Sequence, residues 1–367
     1  MHLNTGSGEL DIKLGLVREA MAAHGIGAVR LRGADWFAWA TGGGSNLVLQ
    51  TAETGVAEVL VTADAAFVLT DWIEQERMRD EEVPAALEVW ATPWQEPARR
   101  EAFVRERVSG RPIASDRPQA DEQALPEALV RAKRRLLPAE VERYRVLGRE
   151  AAEAMTEVLS SAEPAWTEYD LAAAGAAALW RRGIHPALVL AAGEARGLRY
   201  RHPTPSRVPL GGRAMLVFCA RRHGLFANLT RFLSFGPLAG EVQRREEAVR
   251  AVEAAAFRYL FPGVELGEVY EALVAAYARL GFPGEHLRHH QGGTTGYLSR
   301  EVVAGPGGDA VVEPNTALAW NPSLPGTKIE DTVLLTSSGL EVLTVDSAWP
   351  TVPNEDGLAR PAVLIRP

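Results

Sequence analysis

Residues 326–344 read GTKIEDTVLLTSSGLEVLT, and their reading decides the fold. Residues 326–336 are one strand candidate and residues 341–344 another. Side chains alternate across a strand, so Lys328 and Glu330, two positions apart, share one face. Just upstream, residues 317–322 form a further strand candidate. Residues 213–220 (RAMLVFCA) are a continuous apolar strand, which Arg221, Arg222, His223 and Gly224 turn back into residues 225–235. Residues 241–261 and 266–280 carry helical spacing. Helices grouped beside antiparallel strands predict an α+β domain.

The preceding part of the chain has a different rhythm. Residues 14–24 have helical spacing and residues 25–31 turn into a short apolar strand. Residues 35–41 read as an aromatic turn region. Residues 57–62 and 65–69 form a strand pair, and residues 87–91 a further strand. Gly42, Gly43, Gly44 and Ser45 lack the Lys-Ser/Thr ending of a phosphate loop and are expected to be a flexible turn. Pro138 begins a helix with glutamates in its first turn, which continues to about residue 160, and residues 166–181 make another. The expected domains are an α/β unit over residues 1–133 and an α+β unit over residues 134–367.

The 367 residues suffice for two domains, and 47% hydrophobic with 23% charged residues is ordinary globular composition. A net charge of -8 without a long basic run argues against nucleic acid as the partner. No apolar run approaches the ~20 residues that span a bilayer, and the N-terminus lacks a signal-peptide pattern. The single cysteine, Cys219, excludes an intramolecular disulfide framework and fits a reducing cytoplasm, where it is expected as a buried, inert thiol. The expectation is a cytoplasmic protein.

Four stretches carry a resemblance that covers nearly the whole chain. They are residues 131–147, the hairpin VFCARRHGLFANLTRF (217–232), the loop HHQGGTTGYLSRE (289–301), and ALAWNPS (317–323) with GTKIEDTVLLT (326–336). In these the chain resembles the family of Xaa-Pro aminopeptidases, prolidases and creatinase. The resemblance implies a creatinase/prolidase-like α/β N-terminal domain, an α+β pita-bread C-terminal domain and a homodimer. Residues 326–344 look like the closing hairpin of that family.

Active peptidases of the family hold two divalent metals with two Asp, one His and two Glu, hard oxygens balancing the cations. Here the two aspartate positions fall on Val217 and Asn228, and the first glutamate position on Asn321. Aligning Gly296 and Glu301 puts the ligand histidine at Gly293 and a later histidine at Arg300. An alternative register makes His290 the metal histidine. Only Glu330 remains of the carboxylates, so no dinuclear metal and no cofactor are expected. A mononuclear site of His290, Glu330 and Asp331 stays open.

What replaces the metal is expected to be polar. An unpaired buried carboxylate tends to neutralise, so Lys328 is expected to give Glu330 its counter-charge. Creatinase is the family's example of C–N cleavage without metal, with histidine as proton carrier. His202, in RYRHPTP, stands where the family places a histidine, although Arg199 fits that position in another register. His289 matches the family histidine before the glycine turn. The expected catalytic residues are thus His202, His289, His290 and Glu330. The expected substrate-binding residues are Arg199, Arg221, Asn228, Arg231, Gln291, Arg300, Asn321 and Lys328, with arginines suited to a substrate carboxylate. Arg231 reads equally as a structural ion-pair partner.

Three functions follow from these residues. The first is a metal-independent hydrolase of a C–N bond in a small carboxylate-bearing or dipeptide-like substrate. The second is a non-catalytic protein that binds peptides or small molecules on a peptidase scaffold. The third is a genuine Xaa-Pro dipeptidase, which fold alone would suggest.

Overall fold

The computed structural model describes residues 7–353 and 357–367. The described residues form two compact units, one of residues 7–140 with 223–225, the other of residues 141–222 with 226–353 and 357–367. Among the described residues no helix is long and apolar enough to cross a membrane.

The first unit is built on a six-stranded mixed sheet, in the order Glu88–Thr92, Ala66–Asp71, Thr54–Thr62, Ala28–Gly33, Ile113–Ser115, Gln123–Ala124. Val29, Leu31, Val59, Leu60, Val61 and Leu69 are buried in it, as β-branched and leucine residues on a covered sheet should be. Arg30 and Arg32 can lie in the same strand because carboxylates pair them, Glu58 and Glu122 each lying between 2.5 and 3.2 Å from both guanidiniums.

One local expectation fails here. Residues 35–41 are not a turn: Ala34–Ala40 is a helix with every residue buried. Trp36 and Trp39 meet edge to face at 5.4 Å, and their burial overrides the modest helix propensity of aromatics. The glycine run does turn the chain, at Thr41 to Gly43, and it is buried. A Cβ on Gly44 would lie 2.0 Å from the Glu82 carbonyl oxygen, so glycine is required there by close packing.

The second unit holds two sheets. One runs Leu364–Arg366, Leu225–Phe235, Arg213–Arg222, His185–Gly193; the other Val302–Val303, Gly292–Thr295, Thr316–Trp320, Asp331–Thr336, Gly339–Val342. The strand His185–Gly193 is one that sequence patterning does not predict. Pro186 obscures it, and the ladder accommodates the proline with a register shift between Pro186 and Leu188.

Helices cover both sheets. The expected helix from Pro138 runs Pro138–Ser161. Glu168–Trp180 starts with a Thr167/Asp170 capping box, and Gly175 lets the Phe218 ring approach. Gly240–Arg258 and Leu266–Arg279 place Val249, Val252, Val269 and Leu273 against Leu318, Trp320, Val333 and Leu335. Ala319 pairs with Thr332 and Trp320 with Asp331. Alternation therefore turns Ala319, Asn321, Glu330 and Thr332 to the sheet's other face. An antiparallel bridge from Thr230 to Glu330 joins this face to the strand Leu225–Phe235.

Candidate active site

Glu330 is the anchor of the site. Its side chain is buried, and Thr230 Oγ1 donates to Oε2 at 2.9 Å. Lys328 Nζ lies 2.7 Å from Oε2 and Arg300 Nη2 2.9 Å from Oε1. Burial alone would raise the carboxyl pKa, but Lys328 and Arg300 outweigh it and hold the group down at about 2. Two cations on one carboxylate leave one positive charge in excess within this cluster.

Three histidines gather beside it. The ring of His202 lies 5.6 Å from that of His289 and 6.3 Å from that of His290, and the last two are 6.1 Å apart. Burial and Lys328 push His289 down to about 3. Loss of hydration and then Arg300 push His290 down to about 4. His202 is lowered as well, by loss of hydration and Lys328. All three rings are neutral near pH 7.

The three rings differ in what they can do. His289 Nδ1 is 2.5 Å from the His290 carbonyl oxygen and Nε2 is 2.6 Å from Ser323 Oγ, so both nitrogens are engaged. His202 and His290 are exposed, and their rings hold no hydrogen bond to another described residue, leaving their nitrogens to a ligand.

The expected substrate-binding residues divide. Lys328 and Arg300 are in the cluster. Asn228 is buried, donates from Nδ2 to Thr295 Oγ1 at 3.1 Å, and leaves Oδ1 without a partner. Asn321 is one step beyond the Trp320–Asp331 pair, hence opposite Glu330, and its Oδ1 is likewise unpartnered. Gln291 is spent internally: Tyr277 donates to its Oε1, and its Nε2 donates to the His286 and His289 carbonyls.

Arg231 takes the structural alternative. Its Nη2 lies 2.7 Å from Asp331 Oδ1, Asp331 Oδ2 lies 2.9 Å from Arg360, and Arg360 clasps Glu253 through two 2.7 Å bonds. Asp331 and Glu330 point to opposite faces, so Asp331 belongs to this buried ion chain. Arg221 pairs with His185 across the ladder and lies over the Phe226 ring. Arg199 is exposed beside Tyr200. Cys219 feels Glu330, although burial is the main reason its thiol is pushed up to about 12.

Thr230, Ser323 and Arg201 also belong to the site, and sequence reasoning missed them. Arg201 Nη1 donates to Ser323 Oγ at 3.3 Å, and its Nη2 pairs with Glu285. The only signal in the sequence is position: Ser323 closes ALAWNPS and Arg201 sits inside RYRHPTP.

Among the described residues, no group of three or more His, Cys, Asp or Glu side chains is arranged to hold a metal ion. The sequence profile of metallopeptidase family M24 matches residues 142–337. The structure is similar to an Xaa-Pro dipeptidase from Bacillus anthracis, with a TM-score of 0.77 and 18% identity over 97% of this chain and 100% of that one. It is similar also to an X-Pro aminopeptidase from Thermotoga maritima, with a TM-score of 0.77 and 16% identity over 96% and 99%. A curated relative, an agropine synthesis cyclase from Rhizobium rhizogenes, is 32% identical over 114 residues. That match spans 29% of this chain and 28% of the cyclase.

Proposed function

The chain belongs to metallopeptidase family M24, and from that premise we propose that it is a metal-independent hydrolase of a C–N bond in a small carboxylate-bearing or dipeptide-like substrate. Its fold is an α/β N-terminal domain followed by an α+β pita-bread domain, and membership supports peptidase-type chemistry. The observation that carries the metal-independent reading is the pair of cations, Lys328 and Arg300, on the Glu330 carboxylate.

The residues do not fit a dinuclear centre. A metal would have to displace two side-chain cations from the one carboxylate retained at the family's ligand positions. Asn228 and Asn321 offer neutral amides, which cannot balance the charge of two divalent ions. At Gly293 a Cβ would lie 2.0 Å from the Val302 carbonyl oxygen, so that backbone has no room for a ligating histidine.

The cluster's excess positive charge draws the substrate carboxylate towards Arg300 and Lys328. His202 and His290, neutral and exposed, then move the protons. One of them accepts the proton of the attacking water and, now an imidazolium, gives that proton to the leaving group. Glu330, ionised down to about 2, holds the two cations in place and does not shuttle protons.

Similarity to a cyclase favours a second reading of the same pocket, in which a nucleophile within the substrate replaces water and closes a ring. The decisive experiment screens N-acyl amino acids and Xaa-Pro dipeptides with excess EDTA and with added manganese. Turnover that persists in EDTA and falls in H202A and H290A supports the proposal. Cleavage that requires manganese makes the chain a genuine dipeptidase. Carboxylate binding without turnover makes it a binding protein.

A further inference from the structure

Ser323 is a further polar side chain of this site. It is buried, with 2% of its surface exposed, at the start of the short ladder that pairs it with Lys328. Its backbone is held at both ends by Tyr277: the Ser323 N–H donates to the Tyr277 hydroxyl at 2.8 Å, and that hydroxyl lies 3.1 Å from the Ser323 carbonyl. The backbone that carries Oγ is therefore held by the fold.

The proton positions around His289 follow from its two partners. Nδ1 faces the His290 carbonyl oxygen at 2.5 Å, and a carbonyl can only accept, so Nδ1 carries the ring proton. In a neutral imidazole Nε2 is then bare. The contact between Nε2 and Ser323 Oγ at 2.6 Å must therefore be the serine hydroxyl donating to the histidine. This is the relation of a nucleophile to its general base, with the base oriented by a third group, here a main-chain carbonyl. A cation completes the set, since Arg201 Nη1 lies 3.3 Å from the same Oγ. Charge that develops on a carbonyl oxygen beside Oγ would be met by that guanidinium.

We propose that Ser323 is a nucleophile activated by His289, so that the pocket works by acyl transfer through an ester on Ser323. This rests on the reading of the pocket as a site for C–N substrates bearing a carboxylate. Oγ attacks the substrate carbonyl carbon while its proton passes to His289 Nε2. The tetrahedral intermediate collapses with cleavage of the C–N bond, and His289 returns that proton to the departing amine. Water then cleaves the ester: His202 or His290 takes the water proton and, as an imidazolium, passes it to the departing Ser323 oxygen, giving acid and free serine. A hydroxyl of the bound acyl group in place of water gives a ring. The two side chains touching Oγ are partly exposed, Arg201 to 18% and His289 as a half-buried residue. Arg201 stands in a stretch, residues 199–208, that has neither helix nor strand.

The test is covalent labelling of the full-length protein with a fluorophosphonate probe, read by intact mass and peptide mapping. One adduct per chain is expected, on Ser323, absent in S323A and formed about 100-fold more slowly in H289A. Far-ultraviolet circular dichroism and urea unfolding confirm that both variants are folded, and S323C, reacted with iodoacetamide, supplies a second readout of access to this position. No adduct, an adduct at another residue, or an unchanged rate in H289A overturns the assignment. C–N turnover in EDTA that survives S323A also overturns the nucleophile, yet leaves the acid–base reading of His202 and His290 standing. Loss of that turnover in H202A and H290A, with labelling at Ser323 intact, supports both.

Discussion

Lys328 Nζ lies 2.7 Å from Glu330 Oε2, two positions along the same chain segment. Each side chain is nearly fully buried, and each is tolerable there only because of the other. Arg300 approaches the second oxygen at 2.9 Å, so the carboxylate is bound from both sides.

Breaking that pair is expected to destabilise the fold in a pH-dependent way. The folded pKa of Glu330, about 2, lies below the unfolded value of about 4.3. The stabilisation is thus fully present above about pH 4.3 and is lost as pH falls through about 2. K328M should cost about 3 kcal/mol at pH 7, since it strands part of a buried charge. The double variant K328M/E330L should be less destabilised than K328M. Urea unfolding of the variants at several pH values measures both effects. A double variant as weak as K328M would remove the charge argument.

The histidines carry the opposite charge but give stability the same direction with pH. His289 and His290 titrate at about 3 and about 4 in the fold, below the unfolded value of about 6.5. As pH falls below about 6.5 the unfolded chain binds these protons first, so stability declines from there towards about 3. Activity should fall on the acid side as His290 takes up its proton near about 4. R300M should move His290 upward, because Arg300 is the main charge holding it down. Imidazole chemical shifts across a pH titration decide the matter.

Part of this site is legible in the sequence, and the rest is hidden for physical reasons. The alternation of residues 326–336 predicts Lys328 and Glu330 on one face of one strand. The structure breaks that strand into Thr327–Lys328 and Asp331–Thr336, yet the two side chains still meet. Arg300 has no such signal as a partner of Glu330, because the contact closes across 30 residues through a loop. Ser323 and Arg201 lie at strand ends or in irregular backbone, where periodicity is silent. Arg231 reads either way in the sequence, and only the burial of Asp331 and Arg360 gives it its partners. The glycine run at residues 42–44 reads as mobile because composition does not reveal what packs against it.

The metal question is open to direct measurement. Anything that binds the folded state alone raises its melting temperature by mass action. Manganese, zinc or cobalt at millimolar concentration should shift Tm by less than about 1 °C, and prolonged EDTA should leave it unchanged. Elemental analysis of protein purified without chelator should find less than about 0.1 metal per chain, far from the stoichiometric occupancy that structural metal affinities produce. Stoichiometric metal would sink the metal-independent reading outright.

Gly293 gives the last and most local prediction. Its φ is +149°, and an added Cβ would meet the Val302 carbonyl oxygen at 2.0 Å and the Ala304 nitrogen at 3.0 Å. Those atoms are backbone, on which the ladder to the neighbouring strand depends: Gly293 pairs with both Val303 and Ala319. They cannot yield without losing that pairing. G293A should therefore destabilise by more than about 3 kcal/mol, combining backbone strain with overpacking. G296A is the matched control, because a Cβ there finds nothing nearer than Glu301 Oε1 at 3.5 Å. It should cost less than about 1 kcal/mol. Thermal and urea unfolding of the two variants are the measurement. If G293A were as stable as G296A, a histidine at position 293 would become sterically admissible, and the loop's exclusion of a ligating side chain would no longer hold.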